Sequence, residues 1–285
     1  MVFQKLTDLR QLKLMANTIR QDTLKSLLEA KSGHTAGPLG LADFFSAMYF
    51  NILNHEPKNP KWEFRDRFVL SCGHVCPVQY TAMANAGYFP KEELMTLRKL
   101  GTRLHGHPHN GSLPGIENSS GPLGQGTSQA VGKALVARMD GKKHYIYCLT
   151  SDGEHNEGQQ WEAWMFAAKY KLSNLIAFID RNYIQIDGNT ENIMPLDPLD
   201  EKYRAFNINT ISIDGNDISA ILNAVDSAKK SGKFSMIILN TIPGKGVSFM
   251  EKKYEWHGKP PNDVEYDLAI KELSAERQRI ENESF

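Results

Sequence analysis

The sequence predicts an α/β fold in which a parallel β-sheet is flanked by helices on both faces. Three observations carry that expectation. Short runs such as "HYIYCLT", "NLIAFID" and "SMIILNT" alternate with longer helix-patterned stretches through the second half of the chain. These runs are continuously apolar and rich in β-branched residues, as strands covered on both faces must be. The chain has 285 residues, 41% of them apolar and 23% charged, enough to bury a full core as one large α/β domain or two small ones.

Taken in order, Leu9, Leu12, Met15, Ile19, Leu24, Leu27 and Leu28 recur at near-helical spacing, so residues 6–30 should form one amphipathic helix or two in series, ending at "SGH". After Gly40, "LADFFSAMYF" resumes as helix, and "RDRFVLS" is a short strand opening into a loop at Gly73. Residues 75–87 and 91–98 read as further helices. The segment from Gly101 to Gly126, rich in glycine and histidine, then breaks the pattern, and loops of that length inside a compact domain are usually functional. There follow helix 126–139, strand "HYIYCLT", helix 157–170, strand "NLIAFID", strand "NTISID", helix 217–230 and strand "SMIILNT". From about Asn262 the chain turns polar, and "EYDLAIKELSAERQRIENESF" reads as a surface helix and tail. With no internal repeat, low-complexity linker or firm boundary, residues 1–285 are expected to form a single domain.

Thirty-three basic residues balance thirty-three acidic ones, so no whole-molecule field favours nucleic acid or anionic lipid. Cys72, Cys76 and Cys148 are an odd, sparse set that suggests reduced thiols in a reducing compartment. "SCGHVC" has no second cluster to complete a zinc site and reads as two packed thiols. The amino terminus carries charges throughout and lacks the apolar core of a secretory signal, and no apolar run approaches the roughly 20 residues that cross a bilayer. A cytoplasmic protein that binds neither membrane nor nucleic acid is expected.

The stretch from Ser151 to Gly188 carries the chemistry. Asp152 follows "HYIYCLT" and Asn182 follows "NLIAFID", so both stand where strands finish, on the edge where ligands of parallel sheets bind. A carboxylate and an amide oxygen there can share one hard cation, with a backbone carbonyl and ligand oxygens completing an octahedron, a set that suits magnesium holding a diphosphate. A helix beginning near Glu157 would aim its free N–H groups at the same spot. Either residue taken alone could simply cap a helix or turn a loop. "GPLGQG" is not G-x-G-x-x-G and "GKGVS" lacks the length of a P-loop, so dinucleotide and nucleoside-triphosphate cradles lack their glycine geometry.

Asp152-Gly153 and Asn182, some thirty positions apart, together with "EGQQWEA", "KLSNLIAFID" and "IQIDG", resemble the fingerprint of the transketolase family of thiamine diphosphate enzymes. The resemblance implies the thiamine diphosphate-binding (PP) module. Asp152, Asn182 and the main-chain carbonyl of Ile184 would bind magnesium, with calcium or manganese as substitutes, and Gly153 and Glu154 would lie against the diphosphate. Ser151 stands where the fingerprint has its first glycine. "SGHTAGPLGLAD", "RDRFVLSCGH", "HGHPHNG" and "EWHGKPP" are similar to the family's histidine segments. By that likeness His74 would contact the diphosphate, while His34, His107 and His257 would surround the donor's hydroxyls and developing oxyanion, with His257 also touching the cofactor. "SSGPLGQG" is similar to the family's TGPLGQG, so Gly121 and Leu123 would meet the cofactor. Histidines suit such work because they hydrogen-bond sugar hydroxyls and stabilise alkoxide charge.

In the family the glutamate that activates the aminopyrimidine, the pyrimidine pocket and most sugar-phosphate arginines lie on a following domain, which this sequence does not include. The resemblance therefore implies the N-terminal subunit of a split transketolase. Its partner would be a C-terminal subunit carrying the pyrimidine-binding module, in a heterotetramer of two subunits of each kind that acts on sugars or sugar phosphates. Glu157 and Glu162 match family glutamates at the interface between active sites, or are ordinary charges in the first turns of a helix. The rival expectations are a subunit of a deoxyxylulose-phosphate synthase or 2-oxo acid dehydrogenase, and a non-catalytic thiamine diphosphate-binding protein.

Overall fold

The computed structural model describes residues 3–283. It opens on helix α1 (Leu9–Ala30), a single helix rather than two in series, capped by the Asp8 carboxylate, which accepts from the Arg10 amide. Leu12, Ala16, Ile19, Leu24 and Leu27 form its buried stripe. The helix expected after Gly40 is α3 (Ala42–Ala47), running into a wide π turn at Met48–Ile52, and it is preceded by a short helix the sequence did not announce, α2 (Ala36–Gly40). Strand β1 (Arg67–Leu70) leads through a 3-10 turn, Gly73–Val75, into α4 (Cys76–Ala86). Residues 91–98 do not form an α-helix. Only Leu94 is buried within the 3-10 segment Lys91–Thr96, too narrow an apolar face to hold a full helix against the core.

The expected long loop follows, ending at α5 (Gln125–Met139). Then come β2 (Ile146–Ser151), α6 (Gly158–Lys169), β3 (Leu175–Arg181), the two-residue strands β4 (Ile184–Gln185) and β5 (Gly188–Asn189), and the short helices α7 (Thr190–Ile193) and α8 (Leu199–Ala205). The chain continues through β6 (Asn209–Asp214), α9 (Ile218–Ser231), β7 (Ser235–Asn240) and α10 (Asp263–Asn282).

The main sheet has the order β1-β2-β3-β7-β6, with every pair parallel. Successive side chains of a strand point to opposite faces, and here both faces are covered. Tyr147, Leu149, Ile176, Phe178, Ile237 and Leu239 pack with Leu12, Phe44, Phe45 and Tyr80 on one side. Ile146, Cys148, Ala177, Ile179, Met236 and Ile238 pack with Ala130, Trp164 and Tyr203 on the other. This is why β2, β3 and β7 are apolar without alternation, while the edge strand β6 is only partly buried.

The carboxyl-terminal helix differs from expectation. It begins where the sequence turns polar, behind a capping box between Asn262 and Glu265. Yet it does not lie free on the surface, because Ala269, Leu273 and Ile280 are buried. Buried Asn17 of α1 donates to the Leu273 carbonyl and to Glu276 Oε2, both at 2.9 Å. Three apolar residues along the helix were too sparse a stripe to stand out in so polar a sequence. Residues 284 and 285, the end of the expected tail, lie outside the described residues. Among the described residues no helix is long and apolar enough to cross a membrane.

Candidate functional site

Strands β2 and β3 are paired so that Ser151 stands opposite Asp180, and the residues that leave the two strands emerge side by side. Asp152 is buried there. Its Oδ1 accepts from the Gly153 amide at 2.8 Å, and its Oδ2 accepts from the Tyr183 amide at 2.7 Å and from Arg181 Nη1 at 3.4 Å. The carboxylate thus reaches across to the loop after β3 and shapes it, since Tyr183 takes a left-handed φ of 63°. Asn182 donates from Nδ2 to Asp180 Oδ2 at 2.7 Å, and its Oδ1 accepts from the Ile184 amide at 2.9 Å. Burial pushes the Asp152 carboxyl up to about 6 against the opposing pull of Arg181.

A cavity of about 520 Å³ opens at this edge. Its wall includes Asp152, Gly153, Glu154, Glu157, Asn182, Ile184, His34, His74, His107, His257, Gly121 and Leu123, so the structure gathers every predicted site residue except Glu162. Glu162 sits on the exposed face of α6. Among the described residues no lysine or arginine lines the cavity, while Asp152, Glu154, Glu157 and Asp187 do.

The donor set suits a hard divalent cation. Asp152, Asn182 and Ile184 border one space, and Asp152 Oδ1 and Asn182 Oδ1 each accept one N–H and keep a lone pair beyond it. Among the described residues no three His, Cys, Asp or Glu side chains group as a metal site. A set with a single carboxylate would not form such a group, so the two observations agree.

Two local features differ from the sequence reading. Helix α6 begins at Gly158 behind a 3-10 turn, Gly153–Asn156, so the amides nearest Asp152 belong to that turn and not to the helix. The Glu154 carboxylate points inward. It accepts from Ser71 Oγ, from the Gly124 amide at 2.6 Å and from the Ser151 amide at 3.2 Å, tying the ends of β1 and β2 to the start of α5. Burial raises it to about 7. Ser151 continues strand β2 with a negative φ, so the position has no conformational need for glycine.

The histidines arrive from four segments. His34, His74 and His257 form a triangle with ring centroids 5.0, 5.2 and 5.4 Å apart. His107 faces Gly121, where an added Cβ would lie 3.7 Å from the imidazole. Gly73 lets this assembly close, since a Cβ there would come 2.4 Å from Ser120 Oγ. Burial lowers all four histidines, His34 to about 4 and His74 well below the ordinary range, which favours the neutral imidazole in each. His34 Nδ1 and His257 Nδ1 are buried without a hydrogen-bond partner in the protein, as polar atoms are when a ligand completes them.

Sequence reasoning missed Gln185, Ile186 and Asp187 as wall residues, although they lie within the "IQIDG" run. It also missed Arg181, which is 1% exposed, pairs with Asp152, Glu191 and Asp197 and lies 3.9 Å over the Tyr183 ring. Its signal was a charge ending an otherwise apolar strand.

Fold and site together define an α/β protein with a histidine- and carboxylate-lined cavity at the carboxyl edge of a parallel sheet. Residues 11–280 match the family model described as transketolase, thiamine diphosphate binding domain. The 6-deoxy-6-sulfo-D-fructose transketolase subunit SqwG of Clostridium sp. (strain MSTE9) is 46% identical over 266 residues, 93% of this chain and 97% of that one. An apulose-4-phosphate transketolase subunit of Actinobacillus succinogenes is 40% identical, with the same 93% and 97% covered. Among solved structures, the transketolase of Campylobacter jejuni superposes with a TM-score of 0.89 at 33% identity, over 96% of this chain and 46% of that one. The chain belongs to the transketolase family, and it matches chains named as transketolase subunits over nearly their full length.

Proposed function

We propose that this chain holds the diphosphate half of thiamine diphosphate with a magnesium ion and, joined to a second subunit, transfers a two-carbon ketol unit from a ketose or ketose phosphate to an aldose or aldose phosphate. The observation that supports this best is the single cavity shared by the Asp152, Asn182 and Ile184 donor set and the four histidines. When bound, the cofactor supplies the carbanion-stabilising chemistry.

The residues of this chain bind, orient and hold protons. Asp152, Asn182 and the Ile184 carbonyl hold the cation, for which calcium or manganese can substitute, while His74, Gly121, Leu123 and Gly153 line the cofactor. In a cavity bordered by carboxylates and no cationic side chain, a polyanion needs that ion to be retained. His34, His107 and His257 meet the sugar hydroxyls, and His34 and His257 each keep a buried Nδ1 that no protein group satisfies. Glu154 acts by shaping the diphosphate loop. Exposed Glu157 and Glu162 face the subunit interface.

The partner supplies the pyrimidine-binding module, its glutamate and the basic groups for a sugar phosphate; two similar chains are named as transketolase subunits, and among the described residues no lysine or arginine lines the cavity. We read the assembly as a heterotetramer with two copies of each subunit, with residues 1–285 as one diphosphate-binding domain. Three unpaired, buried thiols suit the cytoplasm.

The test is ketol transfer between a ketose and an aldose by the reconstituted pair, with thiamine diphosphate and Mg²⁺. The pair should turn over and this chain alone should show little or none. Pyruvate consumption without ketol transfer would overturn the reading.

A further inference from the structure

Arg98 lies behind the cavity wall, between two loops that reach the site from different parts of the chain. Its Nη1 donates to Ser32 Oγ at 3.0 Å and its Nη2 to the Gly106 carbonyl at 3.2 Å. Its own amide donates to the Leu104 carbonyl at 2.9 Å, and its φ of 59° puts it in the left-handed region, a conformation that a side chain other than glycine adopts only where the surroundings enforce it. The guanidinium packs against two glycines. A Cβ at Gly106 would fall 2.8 Å from its central carbon and Nε, and a Cβ at Gly33 would fall 3.7 Å from Nε. Each of these glycines immediately precedes a site histidine, Gly33 before His34 and Gly106 before His107.

We propose that Arg98 is a positioning residue that bolts the His34 loop to the His107 loop and so fixes where both imidazoles stand for ketol transfer. The proposal rests on the functional reading above. A planar guanidinium holds two acceptors in a fixed fork, which a lysine cannot reproduce. The charge has a second effect on the same two groups. Burial is the first cause of the low His34 and His107 values; for His34 it is followed by His257, Arg98 and His107, and for His107 by Arg98. Arg98 thus both places the pair and helps keep it neutral.

The test compares Arg98→Met and Arg98→Lys in the full chain. In the reconstituted complex both variants should lose about 10²-fold in kcat/KM, the size of effect that a small misplacement near the reacting atoms produces, with thiamine diphosphate affinity held within about threefold of wild type. NMR titration of the histidines in the full chain separates geometry from charge. Arg98→Met should raise the values of His34 and His107 and leave His55 unmoved, whereas Arg98→Lys should leave all three near wild type while activity stays low. Wild-type kcat/KM in Arg98→Met, full activity in Arg98→Lys, or unmoved His34 and His107 in Arg98→Met would each overturn the proposal. If the wild-type complex shows no ketol transfer, the functional reading fails, and the NMR comparison still decides whether Arg98 governs this pair.

Discussion

Ser71 and Glu154, eighty-three positions apart, meet in the interior, where the serine hydroxyl donates to the glutamate Oε1. The same carboxylate accepts the amides of Gly124 and Ser151, so one buried acid fastens three segments that border the cavity. Ser71→Ala removes a donor from a group with no access to water. Leaving a buried acceptor short of a partner costs about 1–3 kcal/mol, and that loss is expected in urea denaturation of the chain. A change near zero would mean that the two remaining amides suffice.

The Asp152 and Asn182 pair makes a prediction about the cation. Asp152→Ala should weaken thiamine diphosphate binding in the presence of Mg²⁺ by more than about 100-fold, beyond what loss of an outer-shell partner costs. Calorimetric titration of the complex measures it, and a chelator should release cofactor from wild type, with Mg²⁺, Mn²⁺ or Ca²⁺ restoring it. Because Arg181 would also lose a partner at 3.4 Å, a thermal melt must accompany the titration. Cofactor binding equal to wild type, with or without chelator, would remove the metal from the site.

Much of this site was legible because it stands at strand ends. The apolar runs fixed where β2 and β3 stop, and parallel pairing then left Asp152 and Asn182 adjacent. The histidine loops were readable from motif alone, since nothing in their spacing says that His34, His74 and His257 converge. Less visible were features decided by tertiary packing. The inward turn of Glu154 depends on Ser71 and Gly124, which no local pattern connects to it. Helices α7 and α8, only four and seven residues long, carry too short a periodicity to detect. The docking of α10 depends on Asn17, some two hundred and fifty-six residues from Leu273.

His34 and His257 should matter to the chemical step more than to folding. Each has a buried Nδ1 without a protein partner, so replacing it leaves no internal acceptor or donor stranded at that atom. His34→Ala and His257→Ala are each expected to lower kcat in the complex by about 10²–10³-fold, the usual cost of a lost oxyanion donor. Steady-state kinetics with a saturating ketose checks this. Unchanged ketol transfer would favour a chain that only binds the cofactor.

The final prediction concerns acid. His55 is 3% exposed, with Nδ1 paired to the Tyr88 hydroxyl and Nε2 to the Tyr49 carbonyl, both at 2.8 Å. Burial pushes it down to about 4 from an ordinary 6.5, despite the opposing bond to Tyr49. Between those values the unfolded chain holds more protons than the folded one, so stability rises with pH across the window. The contribution is full above pH 6.5 and is lost as pH falls through 4; for His55 it is on the order of 3 kcal/mol. His34 shifts the same way and adds to the slope. Urea denaturation at pH 7 and pH 5 should show wild type losing stability on acidification, and His55→Gln losing measurably less. An identical loss in the variant would place the acid sensitivity elsewhere.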